Sequence, residues 1–438
     1  MTSDRRAAVA IIGGGASGTI LAAQLARRGV RSMLIDGSGR IGRGVAYSTT
    51  EPVHLLNVRA EGMSAWAGEV DHFAQRFAAE GGERRGFAQR RLFARYLGEI
   101  LDEAVASGCT EPLEATALGA SRTADGWRVS FDDDSSVEVQ ALVLAVGNQE
   151  PEPLPAFSGV GPRFIRNPWG GEASAAVAEL AATGEAVLLV GTGLTMVDLA
   201  LSLDAAGHQG RILALSRRGL IPRAHADAEP APVELGDVPR ELRRLFRWLR
   251  KRSAEVGWRA AVDSLRPHSH PLWQSLSGDE RRRFLRHARP WWDVHRHRIA
   301  PEVAATVARM IADGRLEIAA GRIVAAREVE GGIEVEYRRR GAGSAGAESF
   351  AYAFNCTGPL HSLARSKEPL LRSLLDAGEV RPDDLGIGFA VDGESRAGRR
   401  LWALGPLTKG RYWEIIAVPD IREQAATVAD DIERELKR

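Results

Sequence analysis

Ala8-Val9-Ala10-Ile11-Ile12 is an uninterrupted apolar run, the pattern of a parallel strand buried on both faces. Glycines 13–15 and Gly18 break the run, and residues 19–28 then place Ile20, Leu21, Ala22 and Leu25 at helical spacing before a Gly29 cap. Residues 31–35 read as a second strand closing on Asp36. The pattern predicts strand, turn, helix, strand. Residues 7–26 carry no charge and follow Arg5-Arg6, which superficially resembles a signal peptide or a membrane span. Each interior helical glycine costs roughly 1 kcal/mol against alanine, so a continuous apolar helix is the poorer reading.

Residues 141–146 predict another buried strand that passes Gly147 into a proline-rich linker near 148–165. A second run, 186–190, turns at Gly191 and Gly193, continues as a helix and returns as strand 212–215. From about 226 to 312 the pattern is helical and basic, with Leu242, Leu245, Phe246 and Leu249 along one face of 240–252. That stretch reads as a solvated amphipathic helix. Strand-like alternation resumes over 315–338, residues 351–355 and 401–404 are further buried strands, and 420–437 is a final helix opened by an Asp420/Glu423 capping box.

The 438 residues suggest two or three domains. With 58 Lys and Arg against 57 Asp and Glu, no overall field points to nucleic acid or a membrane, and 44% hydrophobic with 26% charged residues excludes disorder. Cys109 and Cys356 form no CxxC, which argues against a disulfide framework, a thiolate zinc site and a redox dithiol, and favours a reducing compartment such as the cytoplasm. No GxxxxGK[ST], HExxH or GxSxG occurs, so nucleotide triphosphatase, zincin and α/β-hydrolase chemistry have no foothold.

Gly13, Gly15 and Gly18 form a GxGxxG with Ala16 and Ser17 between them, after a strand and at a helix start. The first glycine permits the tight turn, the second lets a pyrophosphate approach the backbone, and the third allows close helix–strand packing. Asp36, 23 residues beyond Gly13, stands where a carboxylate accepts ribose hydroxyls. The second unit keeps Gly191 and Gly193, followed by Leu194 and Thr195, but Met196 replaces the usual third glycine, which predicts looser packing or a shifted helix. Its second strand ends at Arg217 and Arg218, suited to a 2′-phosphate, so NADPH is expected in preference to NADH. His295 and His297 would share a face on a strand, but no third metal ligand is evident and no metal is expected. Arg223, His225, Trp292, His295, Arg411 and Trp413 are candidates either for substrate contact or for ordinary packing, and no catalytic base stands out.

Together with the N-terminal unit, the segments GRGVAYST (42–49), HLLNVRAEGMSA (54–65), GTGLTMVD (191–198), SRRGLIPRAH (216–225), RPWWDVHRHR (289–298), NCTGP (355–359) and GPLTKGRYWEIIAVPDIREQA (405–425) resemble the FAD/NAD(P)-binding protein family, distantly similar to flavin-dependent lysine and ornithine N-monooxygenases. Its best-understood members are aspartate N-hydroxylating enzymes that make nitrosuccinate. The resemblance implies FAD on Gly13, Gly15, Ala16, Ser17, Gly18 and Asp36, with Gly44, Val45, Tyr47, Asn57, Met63, Gly147, Gly405, Leu407 and Thr408 near the flavin. It implies that the helix near Asp420 directs its dipole at the flavin's electron-accepting edge.

The expected fold is α/β, with two Rossmann-like dinucleotide-binding domains for FAD and NAD(P)H and a helical insertion. The FAD domain would comprise 1–165 and 350–438, and the NAD(P)H domain 183–349 with the insertion at 226–312. The expected reaction has NADPH reduce FAD, and O2 form a C4a-hydroperoxide that oxygenates a small amine or amino acid. A dehydrogenase or oxidase without oxygen insertion, or a flavin-binding protein without turnover, remains as an alternative.

Overall fold

The computed structural model describes residues 7–360 and 362–438. Val9–Ile12 pairs in parallel with Ser32–Ile35 on one side and Ala141–Leu144 on the other, and Thr110–Leu113, Leu401–Ala403 and Arg396–Gly398 complete a six-stranded sheet. Both central strands are buried throughout, as their unbroken apolar composition requires. The helices Ala16–Arg27, Arg90–Ala106 and Val418–Leu436 cover one face. The other face packs against the helix Pro369–Asp376 and a three-stranded antiparallel sheet of Ala117–Arg122, Trp127–Phe131 and Ser136–Val139. Hydropathy alone did not flag this small sheet, whose strands are short and polar on their outer side.

The second sheet runs Gly346–Phe350, Gly332–Arg339, Leu316–Val329, Ile212–Ser216, Val187–Val190, Tyr352–Asn355, Phe164–Ile165. Tyr352–Asn355 lies parallel between Val187–Val190 and Phe164–Ile165. The second unit therefore spans 164–355. The expected boundaries, 165/183 and 349/350, cut through this sheet, because an apolar run does not reveal which sheet receives it.

Three local expectations need correction. The first helix starts directly after Gly15 rather than at Thr19. The last helix is Val418–Leu436 with Ala417 at its N-cap and no side-chain cap, so Asp420 and Glu423 form no capping box. Pro419, with its φ already helical and no N–H to satisfy, accounts for the earlier start. Residues 289–296 are helical, with Pro290 in the first turn, so the shared strand face of His295 and His297 does not exist.

The insertion packs around its own small cores. In its helix Leu242–Val256, Leu242, Leu245, Phe246 and Leu249 face inward while Arg243, Arg244, Arg247 and Arg250 are exposed, as the amphipathic pattern requires. Pro301–Ala312 packs instead against Leu194–Ala205, so the insertion ends near 298. Residues 7–26 form the expected strand, turn and helix, and among the described residues no helix is long and apolar enough to cross a membrane.

Candidate active site

The first glycine turn lies at the C-terminal end of its sheet. Gly13 adopts φ +109°, and a Cβ there would collide with the Ala145 carbonyl. A Cβ on Gly18 would strike the Gly13 carbonyl oxygen, so the helix crosses the strand at a distance only glycine allows. Gly15 differs: a Cβ there would meet only the Gly44 Cα, at 3.6 Å, an ordinary van der Waals contact, so no clash requires this glycine. No side chain caps the helix that begins at Ala16, so the leading N–H groups of Ala16, Ser17 and Gly18 stay available to an anion. Asp36 Oδ2 accepts the Gly14 N–H at 2.7 Å and Oδ1 accepts that of Ser38 at 2.8 Å, which holds the carboxylate beside the turn.

The neighbouring candidates gather here. Gly44 abuts Gly15, Val45 beside it is 49% exposed, and Tyr47 packs edge-on against Phe93, where burial pushes its phenol up to about 12. Gly405, at φ +63°, sits against Ser17 and donates its N–H to Gln424 Oε1 at 2.8 Å, while Thr408 donates to the Gly405 carbonyl at 2.8 Å. Leu407 and Met63 are buried, and Gly147 turns at φ +70° where the strand Ala141–Leu144 leaves the sheet.

The second turn repeats the geometry. Gly191 adopts φ +125° with the Cys356 carbonyl where a Cβ would be, and Gly193 caps the helix Leu194–Ala205 in an extended conformation like that of Gly15. Met196 is fully buried beneath this turn, so the expected loosening is absent: its side chain fills the core. Nothing lies within 4 Å of a Cβ on Gly193, which is more open than Gly15 at the first turn. Thr192 Oγ1 lies 2.8 Å from Ser216 Oγ and donates to the Leu220 carbonyl at 2.5 Å, tying the turn to the strand end that carries Arg217 and Arg218. Arg217 is exposed and Arg218 half-buried, and neither guanidinium has an ion pair among the described residues. Replacing both with alanine is expected to raise the Kd for NADPH about 10–100-fold and leave that for NADH within a factor of two, measured by titration.

The two units meet along a polar seam. Arg90 grips Asp198 through two hydrogen bonds of 2.9 Å, with side chains only 11% and 9% exposed. His54 Nδ1 accepts from Thr49 Oγ1 at 2.8 Å, so Nε2 carries the proton and donates to the Asp198 carbonyl at 3.0 Å. Substrate candidate His225 belongs to this seam: its Nε2 donates to the Asn57 carbonyl at 3.0 Å and its ring packs on Phe87. Burial, then Arg298, pushes its imidazole down to about 4. The unfolded chain binds this proton at about 6.5, so stability rises with pH from 4 to 6.5 and is lost as pH falls through that window. His225→Gln is expected to flatten the fall in Tm by a few degrees across that range, as read by thermal melts in a pH series.

The insertion caps the segment just after Gly405–Thr408, with Trp273 Nε1 donating to the Gly410 carbonyl at 2.9 Å. Trp292 and Arg296 both donate to Glu414 at 2.6 Å, and Glu414 is 3% exposed. Burial alone pushes this carboxyl up, but Arg296, His297 and the Trp292 hydrogen bond together hold it below the usual carboxylate range. Trp413 stacks on Trp273 at 4.9 Å. Trp292, Arg411 and Trp413 are thus brought to one region. His295 is not among them: it hydrogen-bonds the Trp291 carbonyl in its own helix and packs on Trp258. Arg223 is exposed next to the seam. Among the described residues no group of three His, Cys, Asp or Glu could hold a metal ion.

Residues 10–149 match the family model described as FAD-NAD(P)-binding. That match takes in the first glycine turn and the strands on either side of it. No curated protein matches by sequence. L-lysine 6-monooxygenase from Pseudomonas syringae is 18% identical with a TM-score of 0.69, covering 98% of this chain and 99% of that one. Ornithine N-hydroxylase from Kutzneria sp. 744 is 14% identical with a TM-score of 0.67, covering 98% and 100%. Thioredoxin reductase from Lactococcus lactis is 12% identical with a TM-score of 0.56, covering 98% of each chain. These similarities establish that the chain shares the two-unit α/β fold of those structures.

Beside the matched segment lie polar residues that motif reading missed. Lys409 donates to Asn148 Oδ1 at 3.2 Å, bridging Gly405–Thr408 to the loop after Gly147. Burial, then Arg289, pushes its ammonium down to about 8. Asp293, raised by burial, and His297, lowered by burial, lie 3.9 Å apart in the cap. One signal was available: Lys409 is one of four lysines in an arginine-dominated chain, and lysine, unlike arginine, can give up its charge when buried.

Proposed function

We propose that the protein is an NADPH-dependent flavoprotein monooxygenase that oxygenates a small amine or amino acid. Two glycine turns, each facing an uncapped helix start with no clash demanding Gly15 or Gly193, suit the approach of two pyrophosphates. Gly13, Gly15, Ala16, Ser17, Gly18 and Asp36 would hold the adenylate half of FAD, with Gly44, Val45, Tyr47, Asn57, Met63, Gly147, Gly405, Leu407 and Thr408 along the rest. Gly191, Gly193, Leu194, Thr195, Arg217 and Arg218 would hold NADPH. FAD, when bound, supplies hydride acceptance and oxygen activation.

The observation that carries the oxygenase reading is the closed cap. Glu414 ties Trp292 and Arg296 onto the segment that follows Gly405–Thr408, where Trp273 stacks on Trp413 and donates to the Gly410 carbonyl, and such an aromatic cover would keep water from a reactive flavin. A disulfide reductase has no such need, and the two cysteines of this chain, one of them buried, offer no dithiol. The test is NADPH oxidation in the presence of each amino acid and simple amine under isotopically labelled O2. The reading predicts a product heavier by one labelled oxygen atom. Peroxide formed in full stoichiometry with unmodified amine overturns it.

A further inference from the structure

Over residues 240–288, thirteen Lys and Arg stand against five Asp and Glu, so this stretch carries +8 in a chain whose total is +1, and everything outside it is net −7. Twelve of the thirteen are arginines. The helix Leu242–Val256 packs against the contiguous helical turns Gly278–Arg283 and Phe284–Ala288. Leu242 donates its N–H to Glu280 Oε1 at 2.9 Å and the Phe246 and Phe284 rings stack at 6.4 Å, so the two run parallel in that register. Leu245, Trp248 and Leu249 close the opposite flank against a second small core. Arg243, Arg247 and Arg250 each follow one of the inward residues Leu242, Phe246 and Leu249, about 100° round the helix, and form an exposed row on the flank that is left. Arg283 and Arg286 are exposed on the neighbouring turns. None of these five guanidiniums makes a hydrogen bond or ion pair among the described residues.

They stand unpaired because the local carboxylates are engaged elsewhere. Glu241 pairs with Arg244 at 3.1 Å, Glu255 with Lys251 at 4.0 Å, Asp279 with Arg282 at 2.9 Å and Asp263 with Arg298, while Glu280 accepts the N–H groups of Leu242 and Ser277. Like charges at i, i+4 work against a helix, and an anionic partner would relieve them. One turn past His287, Trp291 is 49% exposed on the run that continues as Arg289–Arg296. Arginine and tryptophan are the side chains that most often carry the binding energy of a protein interface.

Guanidiniums fork onto carboxylates and phosphates alike, so the shape of the surface decides between them. A row at i, i+4 and i+7 matches carboxylates at the same spacing on an opposing helix. Single-stranded nucleic acid follows a groove with aromatics interleaved among the cations, whereas these rows stand on convex helices with one aromatic at the end. Leu242, Leu245, Phe246 and Leu249 point inward, which leaves the helix no apolar face to lay in a bilayer, and an anionic sheet wider than the molecule would repel the net −7 remainder.

We propose that this face, with Arg243, Arg247 and Arg250 on one helix, Arg283 and Arg286 on the next and Trp291 at its end, docks an acidic helix of a partner protein. The docking face and the cap share one helical run, since Trp292 and Arg296 of the same turns hold Glu414.

The test is fluorescence anisotropy of the full chain with a labelled alanine-rich helical peptide of about 20 residues that carries glutamates at i, i+4 and i+7. A peptide of the same composition with the glutamates scrambled, a single-stranded DNA oligonucleotide of equal charge, and vesicles of phosphatidylcholine with phosphatidylserine are compared with it. The spaced peptide is expected to bind at least about threefold more tightly than the scrambled one and to weaken as salt is raised. Arg243→Glu, Arg247→Glu and Arg250→Glu together should weaken it about tenfold or more, and the three Lys replacements about threefold, because charge is kept and the fork is lost. Arg338→Glu with Arg340→Glu, exposed on the second sheet, should leave binding unchanged. Thermal melts verify that each variant is folded. Equal binding of spaced and scrambled peptides, tighter binding of the DNA or the vesicles, a triple Glu variant that binds like the parent, or salt-reversible self-association that excludes the peptide overturns the proposal. Binding is read without turnover, so a failed oxygenation assay leaves the surface untouched and a failed titration leaves the reaction untouched.

Discussion

Arg90→Met is expected to cost the fold about 3–5 kcal/mol, because it leaves the Asp198 carboxylate buried without its partner. Arg90 and Asp198 lie on different units, so the loss falls on the seam that sets how the two glycine turns face each other. His54, donating to the Asp198 carbonyl, has no geometry of its own to compensate. Replacing both partners with apolar side chains, as in Arg90→Met with Asp198→Leu, removes the unpaired charge, and most of the lost stability should return. Urea titration measures the first effect. The double variant separates it from hydride transfer, which should stay slow because the pair also orients the units. A single variant as stable as the parent would mean that the pair contributes nothing to the seam.

The second large effect is on cofactor retention, and it divides two glycines that a motif treats alike. A Cβ on Gly15 makes only a van der Waals contact, with Gly44 Cα at 3.6 Å, so Gly15→Ala should fold with the parent's Tm yet lose FAD by about 100-fold or more, because the methyl group occupies the place a pyrophosphate must approach. A Cβ on Gly18 strikes the Gly13 carbonyl and closes on Leu34 Cδ1 at 3.1 Å, so Gly18→Ala should lose both FAD and several degrees of Tm. Flavin absorbance after gel filtration and thermal melts measure the two outcomes. If Gly15→Ala retained its flavin, the space above the turn would not be a phosphate site.

Those glycines were legible because their chemistry is local: turn, pyrophosphate approach and helix packing all fall within six residues of sequence. The paired sheets were legible for the same reason, since buried parallel strands read as unbroken apolar runs. The seam was not. Arg90 and Asp198 are 108 residues apart, and nothing in either neighbourhood distinguishes them from the many surface charges of the chain. Glu414, directly after Tyr412 and Trp413, gave no sign that Trp292 and Arg296 would converge on it, because that convergence depends on how the insertion folds back. The errors were likewise conformational. Prolines at 290 and 419 start helices that charge and capping patterns placed elsewhere, or did not place at all.

The most direct test of the account is to mix the FAD-loaded protein with NADPH or NADH under anaerobic conditions and follow the flavin absorbance. The account predicts rapid bleaching by NADPH, at least about tenfold slower bleaching by NADH at the same limiting concentration, and loss of that difference when Arg217 and Arg218 become alanine. A protein that takes up no FAD, or whose bound flavin neither nucleotide bleaches, would contradict it.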